Sequence, residues 1–125
     1  MAEFTNYKTN PYSPVLRTRI KSAASTNAQA VFAGPCNLIA MTVANNTAAM
    51  KFVKVYNASG TPVPGTSTQV LSIACPPNQT WTHNWDAGLN IPIALGIAIT
   101  GGAADSDATA TAVDDVHLTL CYAQN

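Results

Sequence analysis

The residues best suited to binding chemistry in this sequence are aromatic, and they cluster in the segment Trp-Thr-His-Asn-Trp at residues 81–85. Successive side chains of a strand point to opposite faces, so the alternation predicts that Trp81, His83 and Trp85 share one side. A row of rings of this kind could stack on a sugar ring, which makes a carbohydrate-binding module one candidate function. Tryptophan is also enriched in cores and at subunit contacts, and these two roles stay open as alternatives.

Catalytic chemistry has little support in the sequence. The two histidines, His83 and His117, lie on different predicted strands, and no serine lies in a nucleophile motif such as Gly-x-Ser-x-Gly. We therefore expect no enzyme activity and no catalytic residues.

Metal binding has equally little support. An acidic cluster lacks the spacing of a calcium-binding EF-hand loop; its members are Asp105, Asp107, Asp114 and Asp115. The sequence predicts a solvated acidic loop without metal or cofactor, and a calcium-stabilised subunit is the weakest alternative. Three cysteines without a close pair argue against both zinc and a disulfide framework. We interpret Cys36, Cys75 and Cys121 as small buried hydrophobic residues.

Charge is scarce and unevenly distributed along the chain. Charged residues make up 10% of the sequence and the formal net charge is zero, so the basic character of a nucleic-acid-binding protein is missing. A surface with few charges is easily desolvated, which favours self-association. Residues 86–125 contain five aspartates, whereas residues 1–25 set four cations against Glu3; these cations are Lys8, Arg17, Arg19 and Lys21. The segregation predicts attraction between neighbouring copies, and scattered solubilising charge is the alternative.

No leader or membrane segment is expected from the sequence. Residues 1–7 lack the pattern of a basic region followed by an apolar one that a signal peptide requires. The longest strongly apolar run, residues 91–99, contains Pro92 and Gly96 and falls far short of the ~20 residues of a membrane-spanning helix.

The elements that must position these residues are short strands. Runs of β-branched and aliphatic residues alternate with Gly, Pro, Asn and Ser, and they predict strands near residues 16–21, 28–32, 37–44, 51–57, 69–74, 80–84, 91–100 and 115–123. The last run alternates apolar and polar residues, whereas 51–57 and 91–99 are apolar on both faces. We expect an all-β fold, a β-sandwich of jelly-roll or immunoglobulin-like type with seven or eight strands. It would form a single domain over residues 16–125, after an extended N-terminal arm at residues 1–15.

Three segments in a fixed order resemble a pattern found in small β-rich virion structural proteins of tailed bacteriophages. The first is Asn-Asn-Thr-Ala-Ala-Met-Lys-Phe-Val-Lys-Val-Tyr-Asn at residues 45–57. The second is the Thr-Pro-Val-Pro-Gly-Thr turn at residues 61–66 with the strand that follows it. The third runs from Gly88-Leu89 to Ile-Thr-Gly-Gly-Ala-Ala-Asp-Ser-Asp at residues 99–107, after which a final strand ends in Tyr122. The stretch that resembles the pattern runs from residue 43 to residue 122 and covers about 80 residues, whereas the N-terminal 35 residues depart from the pattern.

The resemblance implies a virion component that is assembled in the host cytoplasm. Its first candidate is a capsid decoration or cement protein that binds the major capsid protein and stabilises the head, as a homo-oligomer with a trimer favoured. A head fibre, a tail or neck accessory subunit, or a carbohydrate-binding module for host attachment are the alternatives. Neither nucleic acid nor membrane is an expected partner. The predicted contacts combine the cations of the first strand with the aromatic residues of the arm: Arg17, Arg19, Lys21, Phe4, Tyr7 and Tyr12.

Overall fold

A computed structural model describes residues 15–124, which form eight β-strands in two antiparallel sheets. The strands are β1 (Val15–Lys21), β2 (Gln29–Phe32), β3 (Cys36–Asn45), β4 (Lys51–Asn57), β5 (Gln69–Cys75), β6 (Gln79–Ile91), β7 (Leu95–Thr100) and β8 (Val116–Gln124). Sheet A has the order β1-β8-β3-β6, and sheet B has the order β2-β7-β4-β5. The all-β sandwich predicted from the sequence is thereby confirmed. Over residues 15–124 there is no helix of the length and apolarity needed to cross a membrane.

The strand order distinguishes between the two expected sandwich types. β1 pairs with β8, β2 with β7, β3 with β6 and β4 with β5, as in a long hairpin folded back on itself. These pairs alternate between the two sheets, which is the arrangement of an eight-stranded jelly roll. An immunoglobulin-like sandwich orders its strands differently. The fold is therefore a jelly roll.

The apolar run at residues 91–100 is not one strand, as the sequence predicted, but the end of one and the whole of another. β6 continues to Ile91, and β7 begins at Leu95. Between them the side-chain oxygen of Asn57 accepts hydrogen bonds from the backbone N–H groups of Ile93 (2.8 Å) and Ala94 (3.3 Å). Pro92, which has no N–H to donate to a strand ladder, lies at the start of this turn.

The core lies between the sheets and follows the alternation of the strands. On β8 the residues Val116, Leu118, Leu120 and Tyr122 point inward, as the sequence predicted. Each fully buried aliphatic side chain of this kind contributes roughly 1.5–3 kcal/mol through the hydrophobic effect. Sheet B supplies the facing layer, which includes Val53, Val55, Ile73, Ile97 and Ile99.

The outer faces of the two sheets differ in what lies on them. Two connections, residues 58–68 and 101–115, lie over the outer face of sheet B. In the first of them the ring of Pro62 packs so closely on Gly96 that a side-chain Cβ at that position would overlap it. Both Lys54 and Tyr56 of β4 are buried on this face. On sheet A most outward side chains of residues 15–124 are half-buried or exposed, with the paired residues Asn37 and Ala123 as buried exceptions, so the larger part of this broad face is accessible.

The cysteines divide between the core and the surface. Cys36 and Cys75 are buried, and desolvation raises the pKa of each thiol to about 11. Cys121 is half-buried on the outer face of sheet A, so the expectation of three buried cysteines was wrong for this residue. Its place in β8 explains the difference, because it alternates with the inward-pointing Leu120 and Tyr122.

Thiol alkylation of the native protein at pH 8 is expected to label Cys121 and to leave Cys36 and Cys75 unmodified. Since a thiol with a pKa of about 11 is thiolate in roughly one molecule in a thousand at pH 8, its reaction is slow even before burial is considered. The pKa of each buried thiol is higher in the folded state than in the unfolded state, so deprotonation favours unfolding. The free energy of unfolding therefore falls as the pH rises from 9 to about 11. Mass spectrometry of peptides before and after urea unfolding measures the labelling. Equal native labelling of all three cysteines would contradict the assignment.

Candidate functional site

Three cations form a row on the outer face of sheet A. Arg17, Arg19 and Lys21 alternate along β1, so they point to the same face, and all three are exposed. Alternate residues of a strand are about 6.8 Å apart, which makes the row about 14 Å long. Over residues 15–124 the close contacts between basic and acidic side chains are Lys51 with Asp115 and His117 with Asp114, so none of the three cations has a carboxylate partner in that part of the chain.

Beside this cationic row the outward positions of β8 and β3 carry no Lys, Arg, Asp or Glu. The strand register places Thr119, Thr42 and Thr82 in line with Arg19, and the hydroxyl groups of Thr42 and Thr82 are hydrogen-bonded at 3.2 Å. The neighbouring outward positions of the two central strands are occupied by Cys121, Ala40, His117 and Ala44. Short side chains lose little rotamer freedom when they are covered, and this part of the face has few charges to desolvate.

The aromatic residues of the N-terminal arm were also predicted to contact a partner. Phe4, Tyr7 and Tyr12 lie outside the described residues, and their role stays a prediction. Of the six predicted contact residues, the described part of the chain therefore contains the three cations of β1.

The second predicted set of residues lies at the opposite edge of sheet A. As the alternation predicts, Trp81, His83 and Trp85 share one side of β6 and form a continuous stack. The ring centroids of Trp81 and His83 are 5.6 Å apart with planes 27° from parallel, and those of His83 and Trp85 are 6.1 Å apart at 24°. We call these three side chains the aromatic stack. The cationic row lies on the opposite edge strand and on the opposite face of sheet A, so the two sets do not form a single site.

The aromatic stack points toward the interior side of its sheet at the open edge of the sandwich. Trp81 is paired with the buried Val43, and His83 is paired with the buried Met41. Trp85 packs against the hydrophobic core, whereas Trp81 at the other end is 43% exposed. Stacking occupies part of each ring face, so the exposed Trp81 is the member best able to contact a ligand or a partner.

Two acidic residues of the connection between β7 and β8 accept hydrogen bonds from nearby polar groups of the protein. The Asp107 carboxylate accepts hydrogen bonds from the backbone N–H of Thr109 (2.9 Å) and from its hydroxyl (3.1 Å). The pKa of Asp107 is lowered chiefly by that backbone hydrogen bond, with smaller contributions from the Thr109 hydroxyl and the positive charge of Lys54. Asp105 accepts a hydrogen bond from the amide of Gln69 at 2.9 Å. No group of three or more metal-ligating His, Cys, Asp or Glu side chains occurs within residues 15–124.

One residue of structural importance was missed by the sequence reasoning. Lys54 is fully buried on the outer face of sheet B, and its Nζ donates hydrogen bonds to the carbonyl oxygens of Ala104 (2.6 Å) and Asp107 (3.0 Å). A lysine in the middle of the otherwise apolar run Val-Lys-Val was the available signal, because buried lysines require partners.

Comparison with known proteins adds little to this description. No protein-family model matches the chain, and no curated protein sequence matches it. The structure is similar to a chain in the structure of infectious bursal disease virus, Gx strain, with a TM-score of 0.31 and 8% sequence identity over 90% of this chain. The match spans 31% of the viral chain. A likeness at this TM-score and identity identifies neither a fold family nor a function.

Proposed function

We propose that this protein is a structural component of a bacteriophage virion, a capsid decoration or cement protein that binds the major capsid protein through the outer face of sheet A. The observation that carries the proposal is the cationic row of Arg17, Arg19 and Lys21, exposed and unpaired by any carboxylate of residues 15–124. The resemblance of residues 43–122 to small phage virion proteins supports the same function. Its mechanism is mechanical and needs no catalytic group.

Two properties of the face suit it to this role. Unpaired surface cations attract an acidic surface and orient the encounter. The smooth array of threonines and alanines beside them can then be buried with little cost in side-chain entropy. A protein that bridges neighbouring capsid subunits adds buried area where internal pressure pulls those subunits apart. In this proposal Phe4, Tyr7 and Tyr12 of the arm add aromatic anchors to the same contact.

A carbohydrate-binding module at a fibre or tail tip is the second candidate, and the exposure of Trp81 is what favours it. An exposed tryptophan at the edge of a sandwich can stack on a sugar ring. The partial covering of the other ring faces by stacking makes this candidate weaker than the first.

Purified protein is expected to co-sediment saturably with phage heads that lack it, and to raise the melting temperature of those heads. Binding should weaken at ~0.5 M salt, because salt screens the attraction between the cationic row and an acidic surface. The triple variant Arg17→Gln, Arg19→Gln, Lys21→Gln is expected to bind roughly threefold to a hundredfold more weakly, since each of three exposed ion pairs contributes roughly 0.2–1 kcal/mol.

The control variant changes the net charge by the same amount at another place. Ser59→Glu, Thr61→Glu and Thr66→Glu together alter three exposed residues of the connection between β4 and β5. This variant should bind heads like the unmodified protein. If both triple variants lose binding equally, net charge rather than the cationic row governs the contact, and if no protein binds the heads, the decoration role is wrong.

A further inference from the structure

The four edge strands that residues 15–124 leave at the sides of the two sheets are protected unequally. On β1 there are three cations, and β2 has only four residues with an irregularity in its pairing. β5 and β6 lie together on the opposite narrow side of the sandwich. β5 contains no charged residue, and β6 contains only Asp86. Cationic side chains, short strands and irregularities are the devices by which proteins prevent edge strands from pairing, so the β5–β6 side is the unprotected one.

The unprotected part of β6 is short and well defined. Residues 79–84 pair regularly with β3, from Asn45 opposite Gln79 to Ala40 opposite Asn84. The register then shifts, so that residues 85–88 form a bulge that contains Asp86 and ends at Gly88 with a φ of 78°. Within residues 15–124 no strand pairs with the other edge of residues 79–84. We call this segment, Gln-Thr-Trp-Thr-His-Asn, the open edge.

We propose that the open edge pairs antiparallel with the open edge of a second copy of this chain, so that sheet A continues across a two-fold axis. In such a contact each residue meets residues of the same segment, and a charged segment would therefore oppose its own charge. Residues 79–84 contain no Lys, Arg, Asp or Glu, so they can pair with themselves, whereas β1 would bring Arg17 and Arg19 against their own copies. This difference in charge between the two edges of sheet A favours a second copy of the chain as the partner of the open edge. The inference does not depend on the proposed role in a virion.

The symmetry also determines which side chains meet. A two-fold axis that joins antiparallel strands of one sheet is perpendicular to that sheet, so inward side chains of one copy meet inward side chains of the other. With either Trp81 or Thr82 on the axis, the aromatic stacks of the two copies come together on one face. On the other face Thr80 meets Thr82 when Trp81 is on the axis, and Thr82 meets itself when Thr82 is on the axis. Trp81, exposed in the single chain, becomes covered, and cross-strand aromatic and Thr–Thr pairs are favourable.

Sedimentation equilibrium of the full chain is expected to show a reversible change from a mass of 13.0 kDa to twice that mass. The range to examine is roughly 1 to 200 μM protein, where contacts of modest size associate. The variant Thr80→Lys, Thr82→Lys places four ammonium groups around the two-fold axis and is expected to weaken the dimer at least about tenfold. Trp81→Ala, which removes the covered ring, should weaken it as well. Thr61→Lys, Thr66→Lys is the matched control, because it adds the same charges to an exposed connection, and it should dimerise normally.

Circular dichroism and thermal melting establish that each variant is folded. A protein that stays monomeric at the highest concentration overturns the proposal, as does a dimer that persists unchanged in the Thr80→Lys, Thr82→Lys variant. A trimeric mass also overturns it, since a two-fold contact closes at two copies. If deletion of residues 1–14 abolishes assembly, the arm rather than a second open edge is the occupant. If the chain is monomeric and Trp81→Ala abolishes binding to a glycan array, the occupant is a sugar.

Discussion

Replacement of Lys54 by alanine is expected to lower the free energy of unfolding by about 3 kcal/mol, which corresponds to a fall in melting temperature of roughly 12 °C. Lys54 is fully buried, and its Nζ holds the carbonyl oxygens of Ala104 and Asp107 at 2.6 and 3.0 Å. The substitution leaves two carbonyls of the 101–115 connection without their donor and removes the aliphatic stem beneath that connection. Both effects act in the same direction, because unpaired polar groups and unfilled space each destabilise the folded state.

Urea unfolding followed by tryptophan fluorescence measures this loss, with two variants as controls. Lys54→Met keeps most of the stem and removes only the charge and its hydrogen bonds, so its loss should be smaller. Lys51→Ala removes a lysine from the same strand that is 3.9 Å from Asp115 and partly solvated, and it should cost less than about 1 kcal/mol. If Lys54→Ala destabilises the protein no more than Lys51→Ala, the connection is held on sheet B by other contacts.

Replacement of Asn45 by alanine is the second substitution with a large expected effect, also about 3 kcal/mol of unfolding free energy. Asn45 is the buried last residue of β3, and its side chain joins the two sheets. The amide Nδ2 donates to the carbonyl oxygens of Ala49 and Cys75, each at 2.9 Å. The Oδ1 atom accepts hydrogen bonds from the backbone N–H of Thr47 at 3.0 Å and from its hydroxyl at 2.8 Å. Alanine provides none of these partners, and Cys75 of sheet B is too deeply buried to find water.

The adjacent residue offers a matched control. Asn46 is exposed, and its side chain makes a hydrogen bond of 3.3 Å to the carbonyl of Asp114, so Asn46→Ala should cost less than about 1 kcal/mol. Asn45→Asp retains the acceptor for Thr47 and loses both donated hydrogen bonds, and its stability should fall by a large part of the alanine effect. The free energies come from the same urea titrations. Equal losses for Asn45→Ala and Asn46→Ala would contradict the role of Asn45 in joining the sheets.

Alternation along individual strands was determined by the sequence alone. The period of two in β8 identifies Val116 and Leu118 as core residues, and the same period places Arg17 and Arg19 on one face of β1. It also places Trp81, His83 and Trp85 on one side of β6. These predictions succeed because a strand's geometry is set by its own backbone, and each side chain's direction depends only on its position in that strand.

Everything that depends on a partner distant in the chain was decided by the tertiary structure. Period two cannot say which face of β6 is inward, and only the pairing with β3 turns the aromatic stack toward the interior and leaves Trp81 at an open edge. The choice of a jelly roll over an immunoglobulin-like sandwich likewise depends on which strands pair. Lys54 reads as an outward residue of β4, yet it is buried because the connection at residues 101–115 lies over it, about 50 residues further along the chain. Strand pairing and the choice of inward face depend on contacts between distant segments, which the alternation within a single strand does not encode.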